Sequence, residues 1–237
     1  MTTPATAHAV GEAAAPAAVP AARLQQPSNQ PDSTIRVAFQ GELGAYGDHA
    51  IAQHWHGAAI AAPSASFEDV VIDVAWGWVD YGVIPVWNTI VGDIESGRSA
   101  VRLARSAAYR LIVTGDTHVS VRHQLLGLPG STVHDIDCVA SHPVALAQCQ
   151  HFLSMHPNIV STPVYDTAGA ARDLSTHGER TSAAIAGRDA AARYGLIVLA
   201  EDIQDVPHNA TRFVVLSRPG DQRLGATPRQ AEGAIRW

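Results

Sequence analysis

Short apolar strands alternate with helices between residue 35 and residue 216, and this alternation limits the folds that are open to the chain. The segment Ile35-Arg36-Val37-Ala38-Phe39 alternates in side-chain character, as a half-buried strand does. A glycine-containing loop, residues 41–47, leads from it into a predicted helix that ends near His54. Such an order is typical of an α/β protein whose sheets are mainly parallel. The 237 residues allow two lobes, with a ligand cleft where the strands end.

Local signals predict the remaining elements. Ser66 and Asp69 have the spacing of a capping box at the start of a helix. Two more helices are predicted to begin at Pro143 and at Asp166, and another covers residues 188–194 and is ended by Gly195. Further strands are predicted at residues 81–86, 109–114, 119–126, 136–140, 160–165, 183–186 and 212–216.

Composition divides the chain into three segments. Residues 1–33 are rich in Ala, Pro, Gln and Ser, and the first basic residue is Arg23, so we expect a disordered tail rather than a signal peptide. The last segment, residues 219–237, lacks a periodic pattern and is predicted to be a loose tail. Between them we predict one domain, residues 34–218, with a first lobe of about 34–114 plus 205–218 and a second lobe of about 115–204.

The charged residues exclude several kinds of chemistry. All 16 basic residues are Arg, so a Schiff-base lysine, a pyridoxal phosphate attachment and a P-loop lysine are excluded. Arginine suits carboxylate ligands, which it binds with two parallel hydrogen bonds. The net charge of −6 gives no reason to expect a nucleic acid partner, and no apolar run is long enough to span a membrane.

Cysteine and histidine usage predicts neither a disulfide framework nor a metal site. The two cysteines, Cys138 and Cys149, lie in apolar surroundings and are expected to be buried free thiols, which suggests a reducing, cytoplasmic compartment. The spacing of His49, His54 and His56 matches no zinc signature. We therefore expect no metal and no cofactor.

Four stretches carry polar residues in positions where strands end or helices begin. They are the loop Gly41-Glu42-Leu43-Gly44-Ala45-Tyr46-Gly47, the segment Asp80-Tyr81-Gly82-Val83-Ile84-Pro85-Val86-Trp87-Asn88-Thr89, the pair Ser141-His142-Pro143 and Ala147-Gln148-Cys149, and Asn209-Ala210-Thr211-Arg212-Phe213. In this order they resemble four stretches of prephenate dehydratases, written GPEGTYS, DYGVVPIENS, YSHPQALAQC and NxTRF. The resemblance covers roughly residues 35–218, and the ordered set is specific where a single motif would be weak.

The resemblance implies a bilobal α/β fold like that of type II periplasmic binding proteins, with prephenate bound between the lobes. It implies that Thr211 is the catalytic threonine, that Arg212 binds a substrate carboxylate and that Asn88 lies in the active site. It also implies a place in the site for the residues Ser141, Gln148, Thr89, Phe213, Ala45 and Tyr46. Ser141 has an alternative interpretation as the N-cap of the helix that follows it.

Three features depart from the family pattern. Trp87 occupies the position of the family's glutamate, and its side chain is open to three interpretations: a surface residue, a packing residue or a wall of the cleft. Ala45 and Gly47 replace hydroxyl residues of the first loop, and Thr89 replaces a serine. The chain ends about twenty residues after the fourth motif, so a phenylalanine-binding regulatory domain and feedback control are not expected.

The substitution at Trp87 suggests an altered reaction. Prephenate dehydratases expel CO2 and hydroxide together, and hydroxide leaves poorly unless it is protonated. An apolar wall at Trp87, with Arg212 as a carboxylate anchor, suits decarboxylation in which the ring hydroxyl stays. In this interpretation Asn88 and Thr211 orient the ring hydroxyl, and the proton donor is Tyr46, His142 or Thr211.

We therefore expect a prephenate decarboxylase that does not form an aromatic ring and that serves secondary metabolism, such as antibiotic biosynthesis. Non-aromatizing prephenate decarboxylases are known relatives of the dehydratases and are similarly short. The first alternative is a prephenate dehydratase without an allosteric domain, and the second is a non-catalytic protein that binds a small molecule. A homodimer is possible.

Overall fold

The computed structural model describes residues 34–221 of the chain. In the first half, the order of elements is β1 (Ile35–Gln40), α1 (Tyr46–His54), β2 (Ala59–Ser64), α2 (Phe67–Ala75), β3 (Tyr81–Asn88), β4 (Gly92–Asp93), α3 (Glu95–Arg105) and β5 (Ile112–Ser120). In the second half it is β6 (Gln124–Gly127), a 3-10 turn (Val133–Asp135), β7 (Cys138–Ser141), α4 (Pro143–Ala147), α5 (Gln150–Met155), β8 (Val160–Pro163), α6 (Thr167–His177), β9 (Ser182–Ala186), α7 (Arg188–Tyr194), β10 (Ile197–Ala200) and β11 (Ala210–Ser217).

The strands form two sheets, which confirms the predicted α/β fold class. The first sheet has the order β2-β1-β3-β11-β5, with β4 paired to β3, and the second has the order β10-β6-β9-β7-β8. The expectation of mainly parallel sheets is wrong. Four described pairs are parallel and five are antiparallel. Two of the antiparallel pairs arise because β11 returns late in the chain to lie between β3 and β5.

Local signals placed several element ends correctly. The amide of Asp69 donates to the hydroxyl of Ser66 at 3.1 Å, which confirms the predicted N-cap of α2. The carboxylate of Asp166 accepts from the amide of Gly169 at 2.7 Å and caps α6. Gly195 ends α7 in the left-handed region with φ of 67°, which a glycine adopts without steric cost.

The region between residues 109 and 126 differs from the prediction of two strands. Residues 109–111 are not in a strand, and β5 extends instead to Ser120 because it pairs along its length with β11. The first sheet therefore includes residues 115–120, which the sequence analysis assigned to the second lobe. The predicted tail over residues 1–33 lies outside the described residues. Of the predicted tail over residues 219–237, only residues 219–221 are described, and residues 219 and 220 form a turn.

Two segments connect the first sheet to the second, and they lie side by side. Residues 121–123 lead from β5 to β6, and residues 201–209 lead from β10 back to β11. The amide of Val121 donates to the carbonyl of Asn209 at 2.8 Å, and the amide of Ile203 donates to the carbonyl of His123 at 2.9 Å. These bonds bring residues that are far apart in sequence to one place between the sheets.

A β-bulge interrupts the pairing of β3 with β11. Arg212 lies opposite Trp87, but the next residue of β11, Phe213, lies opposite Pro85, so Val86 is an extra residue in β3. An extra residue shifts the in-out alternation of side chains by one position. As a result Asn88, rather than Trp87, shares a face with Pro85.

The free cysteines differ in burial. Cys149 is fully buried, as predicted, and burial raises the pKa of its thiol to about 12. Cys138 is a free thiol as predicted, but it is only partly buried and contacts the Ser182 hydroxyl at 3.3 Å, so the predicted burial is wrong for it. Among the described helices, none combines the length and the apolar character that a membrane crossing requires.

A substitution at Gly97 tests how closely α3 packs on β3. A Cβ atom at Gly97 would lie 1.8 Å from the carbonyl oxygen of Pro85. We expect Gly97→Ala to lower the free energy of unfolding by about 1–3 kcal/mol, although alanine is the better helix former. Chemical denaturation measures this change. The exposed Ser99→Ala on the same helix is the control and should stay within about 0.5 kcal/mol of wild type; equal stability of the two variants would contradict the packing.

Candidate active site

A cavity of about 400 Å³ lies between the elements of the two sheets. The first sheet and its helices supply residues from β1, α1, α2, β3 and β11, and the second sheet supplies residues from α4 and α6. The two connecting segments contribute Val121, His123 and Asn209. A cavity of this size accommodates a small organic molecule.

Six of the ten residues that the sequence predicted for the site line this cavity. They are Ala45, Tyr46, Asn88, Gln148, Thr211 and Phe213. Thr211 and Asn88 lie directly opposite each other on β11 and β3, and Phe213 lies opposite Pro85 on the same face. All four motifs thus contribute residues to the cavity lining.

Trp87 and Arg212 are not among the lining residues, and this corrects their expected place in the cleft. Both lie on the opposite face of the first sheet, because the bulge at Val86 places Trp87 opposite Arg212. The side chain of Trp87 is partly exposed there. The guanidinium of Arg212 donates through Nε to the carboxylate of Asp116 at 2.8 Å, so its charge is already paired.

Ser141 and Thr89 also lie outside the cavity lining. Ser141 is the last residue of β7, is fully buried, and donates to the carbonyl of Ile185 at 2.5 Å. It is not an N-cap, because His142 caps α4 by accepting from the amide of Val144. The Thr89 hydroxyl accepts from the amide of Ala210 at 2.9 Å and supports the turn after β3.

Hydrogen bonds fix the orientation of the Asn88 amide. Its Oδ1 accepts from the amides of Ile90 and Val91 at 2.9 and 3.2 Å, so its Nδ2 must be the donor. This Nδ2 donates to Asn209 Oδ1 at 2.7 Å and to Thr211 Oγ1 at 2.9 Å. All the hydrogen-bonding groups of Asn88 are therefore used within the protein. Thr211 accepts from Asn88, and its own hydroxyl hydrogen has no acceptor among the described residues, which leaves it available to a ligand in the cavity.

The orientation of the Asn209 amide determines which nitrogen of His123 carries a hydrogen. Since Asn209 Oδ1 is an acceptor, its Nδ2 donates to Gln148 Oε1 at 3.1 Å. Gln148 Oε1 lies 3.0 Å from His123 Nε2, which must therefore carry a hydrogen. The amide nitrogen of Gln148 donates to no described group and is free to contact a ligand.

His123 lines the cavity, and the sequence analysis missed it. It stands inside an apolar stretch that was predicted as one strand over residues 119–126, and no motif marks it. The structure breaks that stretch between β5 and β6, which leaves His123 in a connecting segment with a side chain that is 2% exposed. Burial lowers the pKa of its imidazole, and the hydrogen bond to Gln148 opposes this shift.

Tyr46 joins His123 to the first sheet. Its hydroxyl lies 2.8 Å from the carbonyl oxygen of Arg122 and 3.1 Å from His123 Nδ1. Burial raises the pKa of the Tyr46 hydroxyl, which therefore stays protonated at neutral pH. The polar wall of the cavity is thus one connected network from Tyr46 to Thr211.

The rest of the lining is mostly apolar and contains little charge. Asp166 is the one carboxyl group among the described lining residues, and burial raises its pKa. None of the lining residues is an arginine. The apolar wall consists of Phe39, Phe67, Val83, Pro85, Val91, Ile94, Val121, Val144, Ala145 and Phe213.

The family profile described as prephenate dehydratase matches residues 37–221, which include every element of the cavity. The chain belongs to the prephenate dehydratase family. This confirms the family that the four sequence motifs indicated.

Curated relatives of this prephenate dehydratase family member include plant and bacterial enzymes. The chain is 39% identical over 191 residues to arogenate dehydratase/prephenate dehydratase 1, chloroplastic, of Arabidopsis thaliana, with 81% of this chain and 47% of that protein covered. It is 33% identical over 197 residues to the bifunctional chorismate mutase/prephenate dehydratase of Stutzerimonas stutzeri, with 83% and 51% covered. The chain spans about half the length of the curated relatives that it matches.

Solved structures of similar fold include two with 31% sequence identity. A prephenate dehydratase from Arthrobacter aurescens in complex with L-Phe has a TM-score of 0.70, with 78% of this chain and 60% of that chain covered. GqqA, described as a novel type of quorum quenching acylase, has a TM-score of 0.69, with 81% and 65% covered. The two-sheet architecture of the family member described here is therefore shared with a solved prephenate dehydratase.

The buried imidazole of His123 predicts a pH dependence of stability. Its folded pKa lies below the unfolded value of about 6.5, so the unfolded state binds more protons as the pH falls below that value. The stabilisation is complete above about pH 6.5 and is lost as the pH falls towards the folded pKa. We expect the unfolding free energy of wild type relative to His123→Gln to decrease by at most about 1.4 kcal/mol per pH unit over this range.

Denaturant titrations of the two proteins from pH 7.5 to pH 5 measure this difference. The contributions of the other histidines to the pH dependence cancel in this difference, because both proteins contain them. A difference that stays constant or increases as the pH falls would show that His123 is not held in its neutral form in the folded protein.

Proposed function

We propose that the chain is a lyase that binds prephenate, or its amino counterpart arogenate, in the cavity and releases CO2 and water from it. The observation that carries this proposal is the paired Asn88 and Thr211, which face the cavity with a hydroxyl hydrogen left for the ligand. Family membership supplies the substrate class, since the curated relatives are named arogenate or prephenate dehydratases. With prephenate as the substrate, this reaction is the first alternative of the sequence analysis, and arogenate is added because of the names of the relatives.

Thr211 is suited to bind the oxygen that leaves. Its hydroxyl accepts from the fully bonded amide of Asn88 and donates to no described group, so the hydrogen is available to a ligand oxygen. A donor whose position is fixed in advance stabilises the charge that develops on a departing hydroxide. Asn88 acts as a positioning residue, because all its own hydrogen-bonding groups are used.

The position of Trp87 does not support decarboxylation. A tryptophan on the opposite face of the sheet neither lowers the polarity of the cavity nor blocks a proton. Arg212, with its charge paired to Asp116, does not anchor a carboxylate in the cavity either. A glutamate at position 87 on this backbone would lie outside the cavity as well, so its replacement leaves the lining unchanged.

A non-aromatizing decarboxylase remains a second candidate because of one observation. The described lining contains a single carboxyl group, Asp166, and an extended apolar wall. An apolar surrounding favours the loss of CO2 from a carboxylate, whereas the loss of hydroxide needs a proton donor. Decarboxylation with retention of the ring hydroxyl is therefore compatible with this lining.

Product analysis distinguishes these functions. Purified protein is incubated with prephenate and, separately, with arogenate, and CO2 and the organic products are measured by mass spectrometry. Phenylpyruvate from prephenate, or phenylalanine from arogenate, supports the proposed dehydratase. A hydroxylated, non-aromatic product supports the second candidate. If both substrates are recovered unchanged, the proposed function is wrong.

Thr211→Val removes the hydroxyl and keeps the shape of the side chain. We expect kcat to fall about 100-fold or more, because one preorganised donor to the leaving oxygen is lost. Thr211→Ser retains the hydroxyl and should keep kcat within about tenfold of wild type. Steady-state kinetics with the preferred substrate measures both, and equal rates for the two variants would exclude the hydroxyl from the reaction.

Trp87→Glu restores the residue type of the family position. Because side chain 87 lies outside the cavity, we expect neither the product ratio nor kcat/KM to change by more than about threefold, or about 0.7 kcal/mol. Product analysis by mass spectrometry provides the measurement. A shift from a non-aromatic product to phenylpyruvate would show that position 87 does reach the reacting groups.

A further inference from the structure

The reaction in this cavity needs a proton, and few groups in the lining can supply one. Loss of CO2 and hydroxide from the prephenate dianion consumes one proton, and so does loss of CO2 followed by protonation of a ring carbon. The titratable side chains in the described lining are Tyr46, His123, His142 and Asp166. Of these, only the two histidines can carry a positive charge, which an anionic ligand favours.

The contacts around Tyr46 leave one hydrogen for two acceptors when His123 is neutral. Nε2 of His123 carries the hydrogen that bonds Gln148, so its Nδ1 is then a lone pair. The carbonyl of Arg122 and this Nδ1 both lie within hydrogen-bonding distance of the Tyr46 hydroxyl, which has a single hydrogen. A proton on Nδ1 satisfies both contacts, because Nδ1 then donates to the Tyr46 oxygen and the Tyr46 hydroxyl donates its hydrogen to the carbonyl of Arg122, a position that a bound ligand oxygen competes for.

We propose that His123 holds the proton that the reaction consumes and passes it to the substrate through the hydroxyl of Tyr46. This proposal rests on the proposed function for its substrate class, but it applies to both candidate reactions. The O–H bond of Tyr46 breaks as its proton moves to the leaving hydroxyl or to the ring carbon. At the same time the Nδ1–H bond of His123 breaks and restores the Tyr46 hydroxyl. His123 is left neutral with its hydrogen on Nε2, and solvent returns the proton.

An anionic ligand makes this proton available. In the empty cavity, burial holds the pKa of His123 below its usual range. A ligand carboxylate in the same cavity raises that pKa, since opposite charges favour the protonated imidazole. The charged groups that face the pair from neighbouring elements are already matched, with Arg122 bonded to Asp202 and His49 bonded to Asp189. Substrate binding should therefore be accompanied by proton uptake at His123.

A second cavity of about 320 Å³ provides a route for the return of the proton. It shares Ala45 and Tyr46 with the first cavity, so the Tyr46 side chain belongs to both linings. Its other lining residues include the titratable side chains of His49, Asp189 and Asp202. In this proposal the proton returns to Tyr46 from the second cavity, while the substrate occupies the first.

NMR titration of the His123 imidazole in wild-type protein tests the proposal without turnover. The signal is assigned by its absence from the spectrum of His123→Gln, and the probe is phenylpyruvate, an anion of the expected product class. We expect the pKa of His123 to be below that of an ordinary histidine in the free protein and to rise by about one unit or more when phenylpyruvate is present. A pKa that phenylpyruvate leaves unchanged overturns the proposal, whichever product the enzyme makes.

Kinetics gives the second test. We expect kcat of wild type to decrease as the pH rises above the pKa of the bound enzyme, by about tenfold per pH unit. His123→Gln keeps a donor to Gln148 but cannot hold the proton, so its kcat should be about 100-fold lower and should lose this slope, with little change in KM. The exposed His151→Gln is the matched control and should retain the wild-type profile.

Tyr46→Phe should lower kcat to a similar extent, because the imidazole then has no hydroxyl to act through. If His123→Gln keeps the wild-type slope, the proposal is wrong even where CO2 is released normally. If wild type turns over neither prephenate nor arogenate, the proposed function fails, and the NMR titration alone then decides whether His123 takes up a proton when an anion binds.

Discussion

The pairing of β3 with β11 is the constraint on which the site depends. One extra residue, Val86, sets which side chains of β3 beyond it face the cavity. It brings Asn88 to the cavity wall opposite Thr211 and takes Trp87 to the opposite face, where it lies opposite Arg212. Burial of the Asn88 amide is possible because every polar group on it is bonded, which in turn fixes the hydroxyl of Thr211.

The two segments that connect the sheets complete the site. They place His123 and Asn209 next to each other, although 86 residues separate them in the chain. Gln148, at the end of α4, bonds both of these side chains through one oxygen. A change in the relative position of the sheets would therefore act directly on the network that orients Thr211, which links the fold to the chemistry that we propose.

Local chemistry made part of this architecture predictable. Caps such as Ser66, the left-handed Gly195 and the four motifs identified element ends, the family and six cavity residues, because each signal is contained in a few neighbouring residues. The bulge at Val86 and the antiparallel return of β11 were not predictable, since they depend on a partner strand about 125 residues away. Strict alternation from Val83 and Pro85 would have placed Trp87 in the cavity, and the match to the family's glutamate position gives no sign of the bulge that prevents this.

A crystal structure of the protein with bound phenylpyruvate tests the central claim most directly, because it shows where the ligand lies relative to the bulge. The account predicts a ligand in the cavity between the sheets, with an oxygen within hydrogen-bonding distance of Thr211 Oγ1 or the Gln148 amide nitrogen, and Arg212 still paired with Asp116. A ligand carboxylate bound to Arg212, with Trp87 packed against the ring, would contradict it.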